Sequence, residues 1–288
     1  MDSDNRRTFL KLGSAGLAAG AVASMVDPRE AAAQVRPASA LRRVLDRGKL
    51  VVGTGSTNAP WHFEDDKGNL TGMDVSMARI LAKGLFDDES KIEFVRQDAA
   101  QRIPNIAAGK VDITIQFMTV TPQRAQLIAF TRPYFLEQMA LLTRPDANST
   151  FDKLLAGGTG TRISILQNVD AERLVKLVLP QAQVLQVDTL GNVIQALESG
   201  RADAASVSLS AVRWLSRRNP ERYADSGKTW YSQLYSAAVA QGDPDWLNFV
   251  NTTFDVAIFG HQTEIYEDAL HSFFGMRLPE RQPGLPPI

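Results

Sequence analysis

The chain has 288 residues, 31 Lys and Arg against 32 Asp and Glu, 44% apolar residues and no cysteine. That length supplies one large or two ordinary domains with a full core. A net charge of −1 gives no bulk attraction to nucleic acid or to an anionic membrane. The lack of cysteine excludes disulfides, thiolate metal sites and a cysteine nucleophile. Three scattered histidines, His62, His261 and His271, argue against a His-rich metal site, and no cofactor is expected.

Residues 1–33 read as an export signal. Arg6, Arg7 and Lys11 form a basic region, residues 12–26 a weakly apolar stretch, and Ala31-Ala32-Ala33 a small-residue cleavage site. The stretch is too short and too rich in Gly and Ala to span a bilayer. Arg6-Arg7-x-Phe9-Leu10-Lys11 resembles the twin-arginine signal. That resemblance implies the twin-arginine export machinery as a partner, folding before export, and cleavage near Ala33. The segment holds four basic and four acidic residues, so the remainder keeps the net charge of −1.

Beyond it, strands and helices alternate, which predicts an α/β architecture. Leu50-Val51-Val52-Gly53 reads as a buried strand and residues 65–69 as a turn. Residues 74–85 form a helix burying Val75, Ala78, Ile80, Leu81 and Leu85. A strand follows over 92–95, then a helix over 102–108 stopped by Gly109, then a strand over 111–115. Strand-like 139–142 and 235–240 are where the chain crosses between two halves and returns. Residues 162–166 read as a further strand, with Gly157-Gly158-Thr159-Gly160 as the loop before it.

One internal echo supports two halves. Residues 106–114 (IAAGKVDIT) parallel residues 197–205 (LESGRADAA). Both read as a helix end, a glycine suited to the left-handed C′ position, a basic residue, one apolar residue, Asp, then a strand. The expected division is 34–142 for the first part of lobe one, 143–235 for lobe two, and 236–288 for the return to lobe one.

The most chemically loaded stretch is Met118-Thr119-Val120-Thr121-Pro122-Gln123-Arg124. Thr121 suits an N-cap and Pro122 the first position of a helix over 123–129. Free N–H groups at that terminus, the Arg124 guanidinium and the Thr119 hydroxyl suit a carboxylate in sign and geometry. An ordinary capped helix with a solvated arginine is the alternative on spacing alone.

Taken together, several motifs resemble the family 3 periplasmic solute-binding proteins, the polar amino-acid receptors of ABC transporters. They include Asn58-Ala59-Pro60-Trp61, Gly68-Asn69-Leu70-Thr71-Gly72-Met73-Asp74-Val75, Gln101-Arg102-Ile103-Pro104, Thr119-Val120-Thr121-Pro122-Gln123-Arg124, Phe130-Thr131-Arg132-Pro133-Tyr134 and Gly242-Asp243-Pro244-Asp245-Trp246. The resemblance implies a type II fold, two α/β lobes joined by two hinge strands, closing on a small carboxylate-bearing ligand. A membrane permease then receives the closed form. It also implies a monomer, a periplasmic location and no catalytic residue.

Carried over, Arg124 grips the ligand carboxylate with Thr119 beside it. Phe117 and Met118 supply backbone or walls, Asn58 and Trp61 flank the ligand, and Arg102 reaches a second acidic group. For Trp61, core packing is the alternative; for Arg102, a solvated helix start. In lobe two, Asn168, Val169 and Asp170 offer backbone N–H groups. Ser208 stands where the family commonly places the Asp that binds an α-ammonium. Two readings follow. Either Asp170 or Asp188 replaces that carboxylate, or the ligand is an organic acid without an ammonium. An enzyme resembling cyclohexadienyl dehydratase, using Asp170 with Glu172 or Glu64 with Asp65 and Asp66, and a sensory domain are the rival classes.

Overall fold

The structure, a computed structural model, describes residues 39–146, 150–167 and 171–278. Helix α1 (Ala40–Arg47) starts where Ser39 Oγ accepts the Leu41 N–H, and ends at Gly48 in the left-handed region, φ 73°. Strand β1 (Leu50–Thr54) leads to a small antiparallel sheet of β2 (Thr57–Asn58), β3 (His62–Glu64) and β4 (Leu70–Thr71). Then come α2 (Met73–Phe86), β5 (Ile92–Arg96), α3 (Arg102–Ala107), β6 (Ile113–Thr119), α4 (Pro122–Ala125), β7 (Ala129–Phe130) and β8 (Phe135–Thr143). The second half runs α5 (Phe151–Ala156), β9 (Arg162–Leu166), α6 (Ala171–Lys176), β10 (Gln183–Val187), α7 (Leu190–Glu198), β11 (Ala204–Ser208) and α8 (Leu209–Arg218). The chain returns through β12 (Ala224–Val239) and closes with α9 (Pro244–Ile258) and α10 (Glu264–Ala269).

The large sheet has the order β10-β9-β11-β8-β12-β6-β1-β5, with β7 also on β12. Its two outer blocks are built alike. In β5-β1-β6 and in β10-β9-β11 the first strand in sequence lies between the second and third, all parallel. Between the blocks, β8 and β12 pair antiparallel.

The echo in the sequence falls on equivalent places. Gly109 (φ 64°) and Gly200 (φ 71°) follow α3 and α7 in left-handed conformations. The Asp two positions past each basic residue has the same task in both copies. Asp112 accepts the Val51 N–H at 2.8 Å, and Asp203 accepts the Arg162 N–H at 2.8 Å. Each carboxylate ties the third strand of its block to the start of the first.

Packing follows the blocks. One cluster gathers Leu50, Trp61, Met77, Ile113, Tyr235, Trp246 and Phe254, and another Ile106, Val111, Met118, Ile128 and Ala238. The second half has its own pair, around Met139, Leu141, Ile163 and Trp230, and around Ala140, Leu142, Val193 and Val207. Alternate β8 residues thus feed opposite faces of the sheet, as strand geometry requires. Met139–Leu142 of β8 pack with the second half.

Three expected boundaries move. β6 begins at Ile113 and runs to Thr119, because the Asp112 side chain takes the Val51 N–H that a strand residue would otherwise pair with. The helix after Pro122 lasts one turn. Ala129 and Phe130 instead pair with Val239 and Ala238 of β12. β12 starts at Ala224 and not near 235. Among the described residues, no helix is long and apolar enough to cross a membrane. The leader 1–33 and its cleavage site lie outside the described residues, as do Asn168, Val169 and Asp170.

Candidate functional site

The residues expected to grip a carboxylate lie where β6 ends beside β12. Thr121 caps α4 by accepting the Arg124 N–H at 3.3 Å, and the half-buried Arg124 guanidinium donates back to the Thr119 carbonyl at 2.8 Å. The Thr119 hydroxyl donates to Gln233 Oε1 on β12 at 3.1 Å. A helix of one turn carries little dipole, so the side chain of Arg124, not the helix terminus, supplies the positive charge.

Arg102 is half-buried at the start of α3. Its Nε donates to the Ala99 carbonyl at 2.9 Å and its terminal nitrogen to the Gln116 carbonyl at 3.1 Å. Burial lowers its pKa to about 10, and the nearby charge of Arg124 adds to the effect. Burial also lowers the pKa of Arg124. Neither guanidinium forms an ion pair among the described residues. Two desolvated cations held by neutral carbonyls favour an incoming anion.

Asn58, Phe117 and Arg102 line one cavity of about 220 Å³, with Ser56, Gln97 and Gln116. Gln97 and Gln116 satisfy each other: Gln97 Nε2 donates to Gln116 Oε1 at 3.1 Å and Gln116 Nε2 to the Gln97 carbonyl at 3.2 Å. Phe117 has φ 30°, an uncommon backbone for a non-glycine residue. A larger cavity of about 490 Å³ between α2, β5 and α10 contains none of the expected residues.

Other expected residues sit elsewhere. The Met118 side chain is 1% exposed in the core, leaving only its backbone for the cleft. Trp61 is buried among Phe117, Phe135, Tyr235 and Phe274, so core packing describes its ring. Ser208 caps α8 through the Ala211 N–H at 3.3 Å and pairs with Ser210 Oγ at 3.1 Å. Asp188 is exposed and accepts from Asn192 at 2.7 Å. Glu64 pairs with Arg96, and Asp65 accepts the Lys67 and Asn69 N–H groups of its own turn.

Two buried networks behind the site had no signal in sequence. In the first, Asp74 accepts from Tyr134 OH at 2.6 Å and from His62 Nδ1 at 2.7 Å, and His62 Nε2 faces Asn58 Nδ2 at 3.3 Å. Asp74 and His62 are fully buried. The N–H groups of Met73 and Asp74 dock α2 on the Pro60 and Trp61 carbonyls at 3.1 and 2.9 Å. Gly72 makes that approach possible, since a Cβ there would lie 2.3 Å from the Trp61 oxygen. In the second, Glu137 on β8 accepts from Ser210 Oγ and from the Gln138 N–H. Burial raises its pKa.

Two like parallel blocks joined by an antiparallel strand pair define a periplasmic-binding-protein fold. The sequence profile of the bacterial extracellular solute-binding proteins, family 3, matches residues 50–268, and the chain belongs to that family. It is 27% identical over 214 residues to the glutamine-binding protein of Geobacillus stearothermophilus, covering 74% of this chain and 80% of that protein. It is 24% identical over 229 residues to the ABC transporter glutamine-binding protein GlnH of Bacillus subtilis (strain 168), covering 79% and 83%. Among solved structures it matches an ancestral cationic amino acid solute binding protein, AncCDT-1, with a TM-score of 0.71 and 27% identity over 82% of this chain and 100% of that one. Another structure of AncCDT-1, described as a precursor of cyclohexadienyl dehydratase, matches with a TM-score of 0.65, 27% identity and the same coverage.

Proposed function

We propose that this protein is the periplasmic receptor of an ABC transporter, capturing a small carboxylate-bearing solute, an amino acid or a related organic acid, and delivering it to the membrane permease. The observation that carries this reading is Arg124: half-buried, held by a backbone carbonyl, and without an ion-pair partner among the described residues. Lobe one comprises 34–142 and 236–288 and lobe two 143–235, hinged on β8 and β12. Ligand contacts to both lobes favour the closed state. Residues 1–33 direct twin-arginine export and are removed near Ala33. The protein works as a monomer without a cofactor. Thr119 and the Met118 backbone complete the carboxylate side of the cleft on lobe one, Ser208 stands at the ammonium position on lobe two, and the backbone N–H groups of Asn168, Val169 and Asp170 are the lobe-two contribution to the carboxylate.

A thermal-shift panel of amino acids, keto acids and dicarboxylates tests this. A ligand at about 100 times its Kd stabilises by roughly 2.7 kcal/mol, and Arg124→Ala abolishes the shift. Turnover of prephenate, or a hit indifferent to Arg124, overturns the receptor reading.

A further inference from the structure

We infer that Trp214 on α8 clasps the second half to the first through an aromatic triad with Phe63 and Phe273, fixing the lobe arrangement of the ligand-free protein. The inference rests on the two-lobe division proposed above and not on the identity of the ligand.

The helix α8 has two working faces. Leu209, Ala211, Val212 and Leu215 pack into the core of the second half. Ser210, Arg213, Trp214 and Arg217 recur at i, i+3, i+4 and i+7, the spacing of a single helical stripe. Each of these four meets a residue of the first half. Ser210 Oγ accepts from the Trp61 indole at 2.9 Å, and Arg213 donates to Met276 Sδ at 3.4 Å. Arg217 lies against Gly275, where a Cβ would collide with its guanidinium.

Trp214 makes the broadest of these contacts. Its ring lies 5.4 Å from that of Phe63 at 62° and 6.1 Å from that of Phe273 at 45°. Phe63 and Phe273 close the triangle at 6.2 Å and 85°. Tilted rings within about 7 Å of one another are the arrangement that aromatic side chains favour. The Arg218 guanidinium covers the Trp214 ring, 4.7 Å from its centroid.

One ring comes from β3, one from the segment after α10 and one from α8, so the triad holds only while the halves keep this arrangement. Phe63 and Trp214 belong to none of the core clusters of the described residues. A rotation about β8 and β12 therefore separates these rings and leaves both cores intact. Arg102, Thr119 and Arg124 bond elsewhere and take no part in the clasp. The stripe does begin two residues past Ser208, whose hydroxyl pairs with Ser210 Oγ at 3.1 Å. The seat of α8 on the first half thus also places Ser208, and Trp214 is a positioning residue. A ligand that needs another lobe arrangement works against the clasp, its apparent affinity lowered by the fraction of molecules held here.

The test needs no ligand. The chain has no cysteine, so Lys83→Cys on α2 and Gln186→Cys on β10, both exposed, take nitroxide labels at two sites only. Double electron–electron resonance between them is expected to show one narrow distance while the triad is intact. Trp214→Ala and Phe63→Leu are each expected to add a second population of about a tenth of the molecules or more. All three rings are half-buried, and Phe63→Leu keeps an apolar side chain, so the fold survives these changes. Phe151→Ala, which thins the core of the second half away from the triad, is expected to leave the distance unmoved, as a merely structural role for Trp214 would also do. Two populations with the triad intact, a distance unmoved by both triad variants, or equal broadening in Phe151→Ala overturns the inference. The thermal-shift panel remains the separate test of the receptor reading, and a failed clasp leaves its outcome untouched.

Discussion

The indole Nε1 of Trp61 donates to Ser210 Oγ at 2.9 Å across 149 residues of sequence. Trp61 belongs to the aromatic cluster of the first half, whereas Ser210 opens α8 in the second. Ser210 Oγ in turn donates to Glu137 on β8, so one hydroxyl joins both halves and one of the strands that connect them. Trp61→Phe keeps most of the ring contacts and removes the donor. The expected loss is about 2–4 kcal/mol, combining the lost bond with the volume removed from a packed core. Urea denaturation of Trp61→Phe, Ser210→Ala and the double variant checks it. The two effects should couple by about 0.5–3 kcal/mol, and strict additivity would contradict the link.

Glu137 gives this junction a pH dependence whose sign is fixed. Burial holds its carboxyl above the ordinary carboxylate range. As pH rises, the unfolded chain releases this proton before the folded one does, and stability falls through that window. The contribution is fully present below the unfolded value and lost once pH passes the folded one. Glu137→Gln removes the slope. A glutamine carbonyl still accepts the Gln138 N–H, its NH₂ donates to Ser210, and Ser210 turns its proton to Ser208. Thermal melts between about pH 4 and 8 should show the variant about 2–4 °C more stable at the neutral end, with the gap closing in acid. A variant less stable across the whole range would mean that the charged form is the one the fold favours.

The buried Asp74 is the most demanding polar group behind the cavity. It satisfies Tyr134 and His62 together. An amide in its place offers only one oxygen for the two donors and sets its NH₂ against the other. Asp74→Asn should cost about 2–4 kcal/mol in urea denaturation. Tyr134→Phe, which leaves the His62 bond intact, should cost about 1 kcal/mol. Equal effects would mean that the imidazole contributes nothing to the network.

The frame was legible in the chain because it is written in local signals. Gly109 and Gly200 each stop a helix, and the Asp three residues on ties two strands of the block, so one short pattern marks both halves. Arg124 and its Thr121 cap were legible for the same reason. The extent of the helix after Pro122 was not. Its apolar spacing suits a helix through 129, but pairing of Ala129 and Phe130 with β12 takes precedence over local propensity. His62 with Asp74 and Ser210 with Glu137 carry no spacing rule. They meet only after α2 docks on the Pro60 and Trp61 carbonyls and β8 lies beside α8, and tertiary contacts of that kind leave no periodicity to read.

The two arginines make a separate prediction that needs no knowledge of the natural ligand. Arg102 is held at about 10 by burial and by the charge of Arg124, and both guanidinia donate only to backbone carbonyls. Each cation raises the free energy of the other, and an anion placed between them relieves both. Removing one should therefore have little effect on the ligand-free protein. Arg102→Ala gives up two bonds to carbonyls but also a desolvated like charge, and its melting temperature should stay within about 4 °C of wild type. The response to anions should change far more. Millimolar sulfate, compared with sodium chloride at matched ionic strength, is expected to stabilise the wild type and to lose that advantage in both Arg102→Ala and Arg124→Ala. A sulfate effect of the same size in all three proteins would place the anion somewhere other than between these side chains.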